Sequence, residues 1–309
     1  MVVSHTMPRG SPPILLVAFL LFAVPASTQE MEPRAYSASP TGAIFLGAVL
    51  TRSTGSILFD PTLPITDVEA GINGAALAGG TTFDLFGKLA LISAAVPYAW
   101  GEVSGQVFEE ARSVTRSGFA DTRVRLSINL RGNDAMRIAQ FAKTPRRTII
   151  GTSVTVAAPT GEYDGTKLIN LGNHRWAFKP EAGVAVPRGR WEIDAYAGVW
   201  LFTANQDFFP GGQERTQDPL FTLQGHVSYT VRPRLWLAAN ATWYAGGKSQ
   251  VAGGAPSSTV NNSRLGVTAS VPVGRQQSIK LSYGDGIIVR SGTNFRTLAV
   301  GWQWMTIRP

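Results

Sequence analysis

The sequence predicts an all-β chain: a transmembrane, antiparallel, up-and-down β-barrel of twelve strands. Three observations carry that expectation. Apolar and polar residues alternate with period two in long runs from residue 41 onward. Short and long connections take turns along the chain, as short turns at one end of a barrel and long loops at the other require. No later segment holds the roughly 18 uninterrupted apolar residues of a transmembrane helix.

The N-terminal stretch stands apart from this pattern. Arg9 precedes an apolar run at 14–24, ILLVAFLLFAV, and Pro25, Ala26 and Ser27 follow it. A positive residue, a short apolar core and a small-residue break are the marks of a secretory signal peptide, here 1–26. Residues 27–40 are then expected as a short periplasmic N-terminal segment, too short for a plug domain, and 41–309 as the barrel. The chain has no Cys. It therefore needs no disulfides and offers no cysteine for a lipid anchor. The formal charge is +8, but charged residues are only 16% of the chain and recur singly within strands. That pattern, with an export signal, excludes a nucleic-acid partner and points to lumen and rim.

Taken in order, the expected strands are about 43–52, 65–78, 82–97, 121–131, 147–158, 175–186, 191–203, 220–231, 235–244, 262–273, 278–288 and 294–305. The clearest is DTRVRLSINLR at 121–131. Val124, Leu126, Ile128 and Leu130 share one face; Arg123, Arg125, Ser127, Asn129 and Arg131 share the other. Gly79-Gly80-Thr81, Pro187-Arg188-Gly189, Arg232-Pro233 and Gly274-Arg275-Gln276 read as short turns. The stretches 53–64, 98–117, 159–173, 205–218 and 247–261 read as long loops. Residues 132–146 are long but fall on the short-turn side, and are expected to form a short helix or extended loop. Tyr98, Trp100, Trp176, Trp191, Tyr229, Trp243, Trp302 and Trp304 fall near strand ends, as two interfacial girdles would. With twelve strands, both termini share the periplasmic side of the outer membrane.

The polar faces supply the candidate functional residues. Arg123, Arg125 and Arg131 stack along one strand. Lys179, Glu181, Glu192 and Asp194 lie on a neighbouring strand pair, with Tyr196, Trp200 and Trp236 as apolar contacts. Such residues either pair and brace the lumen or set a field that selects polar solutes. His226 and Ser228 share a strand face, with Asn240 expected on the next strand. A His activating a Ser, oriented by an Asn, is hydrolase chemistry. These residues share the polar face with Thr222, Gln224 and Thr230, whereas a lipid hydrolase presents its nucleophile to lipid. After the leader only His174 and His226 remain, so no metal site is expected. No cofactor is expected, since the glycine pairs precede no phosphate-binding Lys-Ser or helix.

Several blocks also resemble a known family. They are RAYSASPTGAIFL at 34–46, WAFKPEAGVAVPRGRWEIDAYAGVWLFTANQDFF at 176–209, LWLAANATWYAGGKSQVAGG at 235–254, NNSRLGVTASVPV at 261–273, KLSYGDGIIVRSG at 280–292 and GWQW at 301–304. Together they are similar to bacterial outer-membrane proteins grouped as transporters of the phenol-degradation meta pathway. The resemblance implies passage of small, aromatic or amphipathic molecules and brings no catalytic residues. One departure concerns the C-terminus, where such barrels often end on an aromatic residue. Here the chain continues past Trp304 to Pro309.

The expected function is an outer-membrane channel or facilitator for small compounds, not an enzyme. Its partners are outer-membrane lipid, the solute and the barrel assembly machinery. A lipid hydrolase using His226 and Ser228, and a structural or adhesive barrel, are the alternatives.

Overall fold

The computed structural model describes residues 31–58, 65–107, 110–254, 256–290 and 292–308. The expected signal peptide, residues 27–30 and part of the 53–64 loop lie outside the described residues. The chain forms β1 (Ala43–Leu58), β2 (Ile65–Leu85), β3 (Lys88–Val107), β4 (Glu110–Phe119), β5 (Arg123–Arg131), a one-turn α1 (Ile138–Phe141), β6 (Ile149–Ala157), β7 (Ala177–Arg188) and β8 (Trp191–Phe202). It continues with β9 (Asn205–Phe208), β10 (Gln213–Gln217), β11 (Leu220–Arg232), β12 (Leu235–Gly246), β13 (Ser249–Val251), β14 (Val260–Pro272), β15 (Gln277–Ile288) and β16 (Gly292–Ile307).

In the large sheet each strand runs antiparallel to its neighbours. The last strand returns to the first, from Ala43↔Ile307 to Leu58↔Gly292, so the sheet closes. Both β4 and β5 pair with β3, one along its distal half and one along its proximal half. Counted as one bent strand, they make a barrel of twelve. Closure pairs the backbone groups that hydrocarbon would otherwise leave unsatisfied at several kcal/mol each. Strands β9, β10 and β13 form a separate small sheet at the long-loop end. The expected loop at 98–117 is largely a ribbon, because β3 and β4 continue past the barrel rim.

The inside-out burial matches a lipid-facing wall. Leu77 is 70% exposed on the outer face, while Ser228, on the inner face, is 0% exposed. Outer aromatics collect at two levels, with Tyr98, Trp100, Trp176 and Trp243 toward the loops and Trp191, Tyr229 and Trp302 toward the turns.

Two local expectations are corrected. Gly79-Gly80-Thr81 is not a turn but lies within β2. The ring of Phe45 crosses Gly80, where an added Cβ would stand 2.7 Å from the ring and 2.6 Å from the Ile92 carbonyl. These glycines give room inside a strand. The turn is Phe86-Gly87, with Leu85 opposite Lys88. Both turn residues have positive φ, 52° and 77°. That geometry suits the twist of a two-residue hairpin. At the C-terminus, Met305 and Ile307 do not trail past the girdle: they pair with Phe45 and Ala43. The 132–146 connection carries α1, and Met136 and Phe141 pack beside Met305 and Ile307.

Candidate functional site

The bore is occupied by the chain's own N-terminal segment. Residues 31–40 were expected below the barrel; instead they run inside it. The polar inner wall explains this, because it offers partners to a segment dense in donors and acceptors. Ser39 N–H donates to Asn133 Oδ1 at 3.1 Å, Ala35 N–H to Tyr196 Oη at 2.9 Å, and Arg34 N–H to Asp194 Oδ2 at 3.1 Å. The Arg34 side chain donates to Thr230 at 2.8 Å and lies over the Trp236 ring at 4.7 Å. Burial lowers the Arg34 pKa, while neighbouring Glu192 works the other way.

Glycine makes two seats for this segment. Gly151 and Gly183 face each other across β6 and β7 on the inner wall. A Cβ on either would fall 2.3–2.4 Å from the Tyr36 ring. Gly266 and Gly284 face each other across β14 and β15. There an added Cβ would come within 2.9 and 2.2 Å of Met31. Tyr36 is further fixed by an edge-on contact with Tyr196, centroids 5.2 Å apart, and by the Arg125 guanidinium 5.3 Å from its ring centre. Its hydroxyl donates to Glu181 Oε1 at 3.1 Å and meets Ser153 Oγ at 2.9 Å. Burial pushes the Tyr36 pKa up to about 12, so the phenol keeps its proton and remains a donor.

Glu181 is the hub of the charge network. Lys179 Nζ lies 2.6 Å from one of its oxygens, Arg125 Nη2 lies 3.1 Å from the other, and Gln224 donates at 3.3 Å. Arg125 also reaches Glu32 of the segment at 3.3 Å. Two cations therefore share a buried carboxylate, and Glu32 adds a second.

Opposite charges on the polar faces pair, as Arg125 does with Glu181, but Glu192 and Asp194 do not stand beside Lys179 and Glu181 on the strand pair. Register is the reason. Asp194 stands opposite Ala185 and Glu192 opposite Pro187, while Glu181 stands opposite Gly198. Glu192 pairs instead with Arg146 from the 132–146 connection and accepts from Ser37 at 3.1 Å. Tyr196, Trp200 and Trp236 are all buried in the bore. Arg123 lies near the Trp200 ring, 5.9 Å from its centre. Arg131 does not join Arg123 and Arg125. A bulge between Asn129 and Arg131 places it opposite Ile150, an outward residue, and leaves it exposed.

His226, Ser228 and Asn240 also face the bore and are buried. Asn240 Nδ2 donates to Thr268 Oγ1 at 3.0 Å, so its Oδ1 accepts from His226 Nδ1, 2.9 Å away. Among the described residues, neither His226 Nε2 nor Ser228 Oγ has a hydrogen-bond partner. The His–Asn contact exists; the His–Ser contact does not.

Open volume remains in several cavities of the bore. A cavity of about 420 Å³ near the long loops is lined by Asp121, Arg123, Arg175, Trp200 and Phe202. It shares Arg123 with one of about 580 Å³ bounded by Arg125, Glu181, Tyr196 and Gln224. Beyond Ala35 and Tyr36, toward the turns, lies a third of about 330 Å³, with Ser127 and Asn129. A cavity of about 700 Å³ lies beside Met31, with Arg264 and Lys280.

A family model described as "Putative MetA-pathway of phenol degradation" matches residues 55–303. The chain belongs to this phenol-degradation MetA-pathway family. Among solved structures, it is similar to an outer membrane channel from Pseudomonas putida F1. The TM-score is 0.75 at 22% identity, covering 90% of this chain and all of that one. The β domain of the Bordetella autotransporter BrkA matches at a TM-score of 0.50 and 10% identity, over 86% of this chain and all of that one. Both likenesses are of fold: an outer-membrane β-barrel. No curated protein matches in sequence. In this member of the MetA-pathway family, sequence reasoning missed Glu32, Arg34 and Tyr36, since they precede the alternating pattern. The available signal was glycine at the inward positions 151, 183, 266 and 284.

Proposed function

We propose that this barrel is a passive outer-membrane channel for small amphipathic solutes, aromatic ones included. The observation that carries the reading is the pair of bore cavities that share Arg123 in their linings and present guanidinium groups beside aromatic rings. The likeness to the Pseudomonas putida F1 outer membrane channel and the phenol-degradation description of the family support it. In this reading the short turns and both termini face the periplasm, the apolar outer band meets lipid, and the barrel assembly machinery inserts the chain. Arg123, Arg125, Lys179, Glu181, Glu192 and Asp194 set the field that a solute crosses, and Tyr196, Trp200 and Trp236 meet its apolar part. His226 and Ser228 serve the inner wall: they face away from lipid and do not touch through a hydrogen bond.

The test is uptake of 4-hydroxybenzoate by proteoliposomes holding the refolded mature protein. Uptake above that of empty liposomes, reduced by Arg123→Glu, is expected. Uptake equal to that of empty liposomes from a folded barrel overturns the reading.

A further inference from the structure

Tyr36 is a phenol held in a site. Its ring lies where Gly151 and Gly183 leave no side chain, and each of those glycines would clash with it if it carried a Cβ. Its edge meets Tyr196 and a guanidinium covers it. Its hydroxyl has an acceptor in Glu181 and a partner in Ser153. Every part of a free phenol is matched here: the flat ring by the glycine seat, the π face by Arg125, and the O–H by a carboxylate and a hydroxyl. Glu181, Tyr196 and Arg125 also line the cavity of about 580 Å³ on the long-loop side. Three of the residues that hold Tyr36 therefore also wall that cavity.

We propose that the Gly151–Gly183 seat is a binding site for hydroxylated six-membered aromatic rings, and that Tyr36 is its internal ligand, displaced when such a solute binds. This rests on the channel reading for its physiological meaning, but the site itself is a matter of binding. Tyr36 belongs to a ten-residue described stretch with no strand or helix. It can therefore exchange without breaking the sheet ladder. A phenol competing with Tyr36 binds the barrel with an apparent affinity reduced by the fraction of time the seat is vacant.

The test is calorimetric titration of phenol into the refolded mature protein in detergent, with folding of each variant checked by heat-modifiable electrophoresis. Tyr36→Ala vacates the seat. If wild type leaves it vacant one-tenth of the time or less, Tyr36→Ala binds phenol at least about tenfold more tightly. Tyr36→Phe keeps a ring in the seat but loses the hydroxyl's contacts to Glu181 and Ser153, so it binds phenol more tightly than wild type and less tightly than Tyr36→Ala. Adding Gly183→Val to Tyr36→Ala fills the seat and abolishes the gain. Toluene, which has the ring without the hydroxyl, binds Tyr36→Ala more weakly than phenol does. Equal affinity of wild type and Tyr36→Ala overturns the proposal, as does a gain that survives Gly183→Val. Phenol binding to Tyr36→Ala with no 4-hydroxybenzoate uptake by wild type leaves the site standing and removes the channel. Uptake without any binding difference does the reverse.

Discussion

Replacing Glu181 with Gln removes the carboxylate that Lys179, Arg125 and the Tyr36 hydroxyl share, at 2.6, 3.1 and 3.1 Å. The side chains of Lys179 and Glu181 are 6% and 4% exposed, so water screens little of the loss. Breaking a buried ion pair by deleting one partner costs about 3–5 kcal/mol. Arg125 keeps Glu32 at 3.3 Å, which places the expected loss at the lower end, about 3 kcal/mol. Lys179→Met is a different perturbation, because Glu181 and Arg125 still neutralise each other; about 1 kcal/mol is expected. Urea unfolding of the refolded protein in micelles, followed by tryptophan fluorescence, measures both. The asymmetry is the decisive quantity. Equal losses, or a Glu181→Gln change within about 0.5 kcal/mol of wild type, would refute the hub.

Arg123→Glu should shift the ion selectivity of a reconstituted barrel toward cations, whereas Arg131→Glu should not, since the bulge turns Arg131 away from the bore; equal shifts in reversal potential contradict this placement. Ser228→Ala removes a buried hydroxyl that has no hydrogen-bond partner among the described residues. Its stability should stay within about 1 kcal/mol of wild type and its uptake should be unchanged; loss of function with normal folding would restore the hydrolase. In the long loop, hydrogen bonds from Lys167 and Thr166 hold the Asp164 carboxyl down to about 2, from an ordinary 3.8. A depressed carboxylate pKa stabilises the loop above the ordinary value, and that contribution is lost as pH falls from about 4 toward 2. A carboxyl NMR titration of Asp164 with its midpoint near 4 would contradict those contacts.

Much of the wall was legible because a strand has one strict period. The inward parity of Arg123 and Arg125, of Lys179 and Glu181, and of Glu192 and Asp194 follows from alternation alone. It failed at Arg131 because one bulged residue inverts the parity, and nothing in LSINLR signals the insertion. It failed at 79–81 because glycine has two meanings, a turn or a space for a neighbour's ring, and Phe45 lies too far along the chain to decide between them. Partners were harder to read than faces. Glu192 pairs with Arg146 and Ser37, both from outside its strand pair, because pairing depends on stagger between strands and on segments the alternation does not place. The occupied bore was the largest gap. Residues 31–40 carry no periodic pattern, and their place is fixed by glycine seats on strands more than a hundred residues away.

The most direct test of the account is single-channel conductance of the mature protein in planar bilayers, compared with a variant lacking residues 27–40. The account predicts a small, stable conductance for wild type and a larger one for the variant, because the bore carries a charged and polar lining and is narrowed by residues 31–40. Equal conductance from both folded proteins, or none from either, would contradict it.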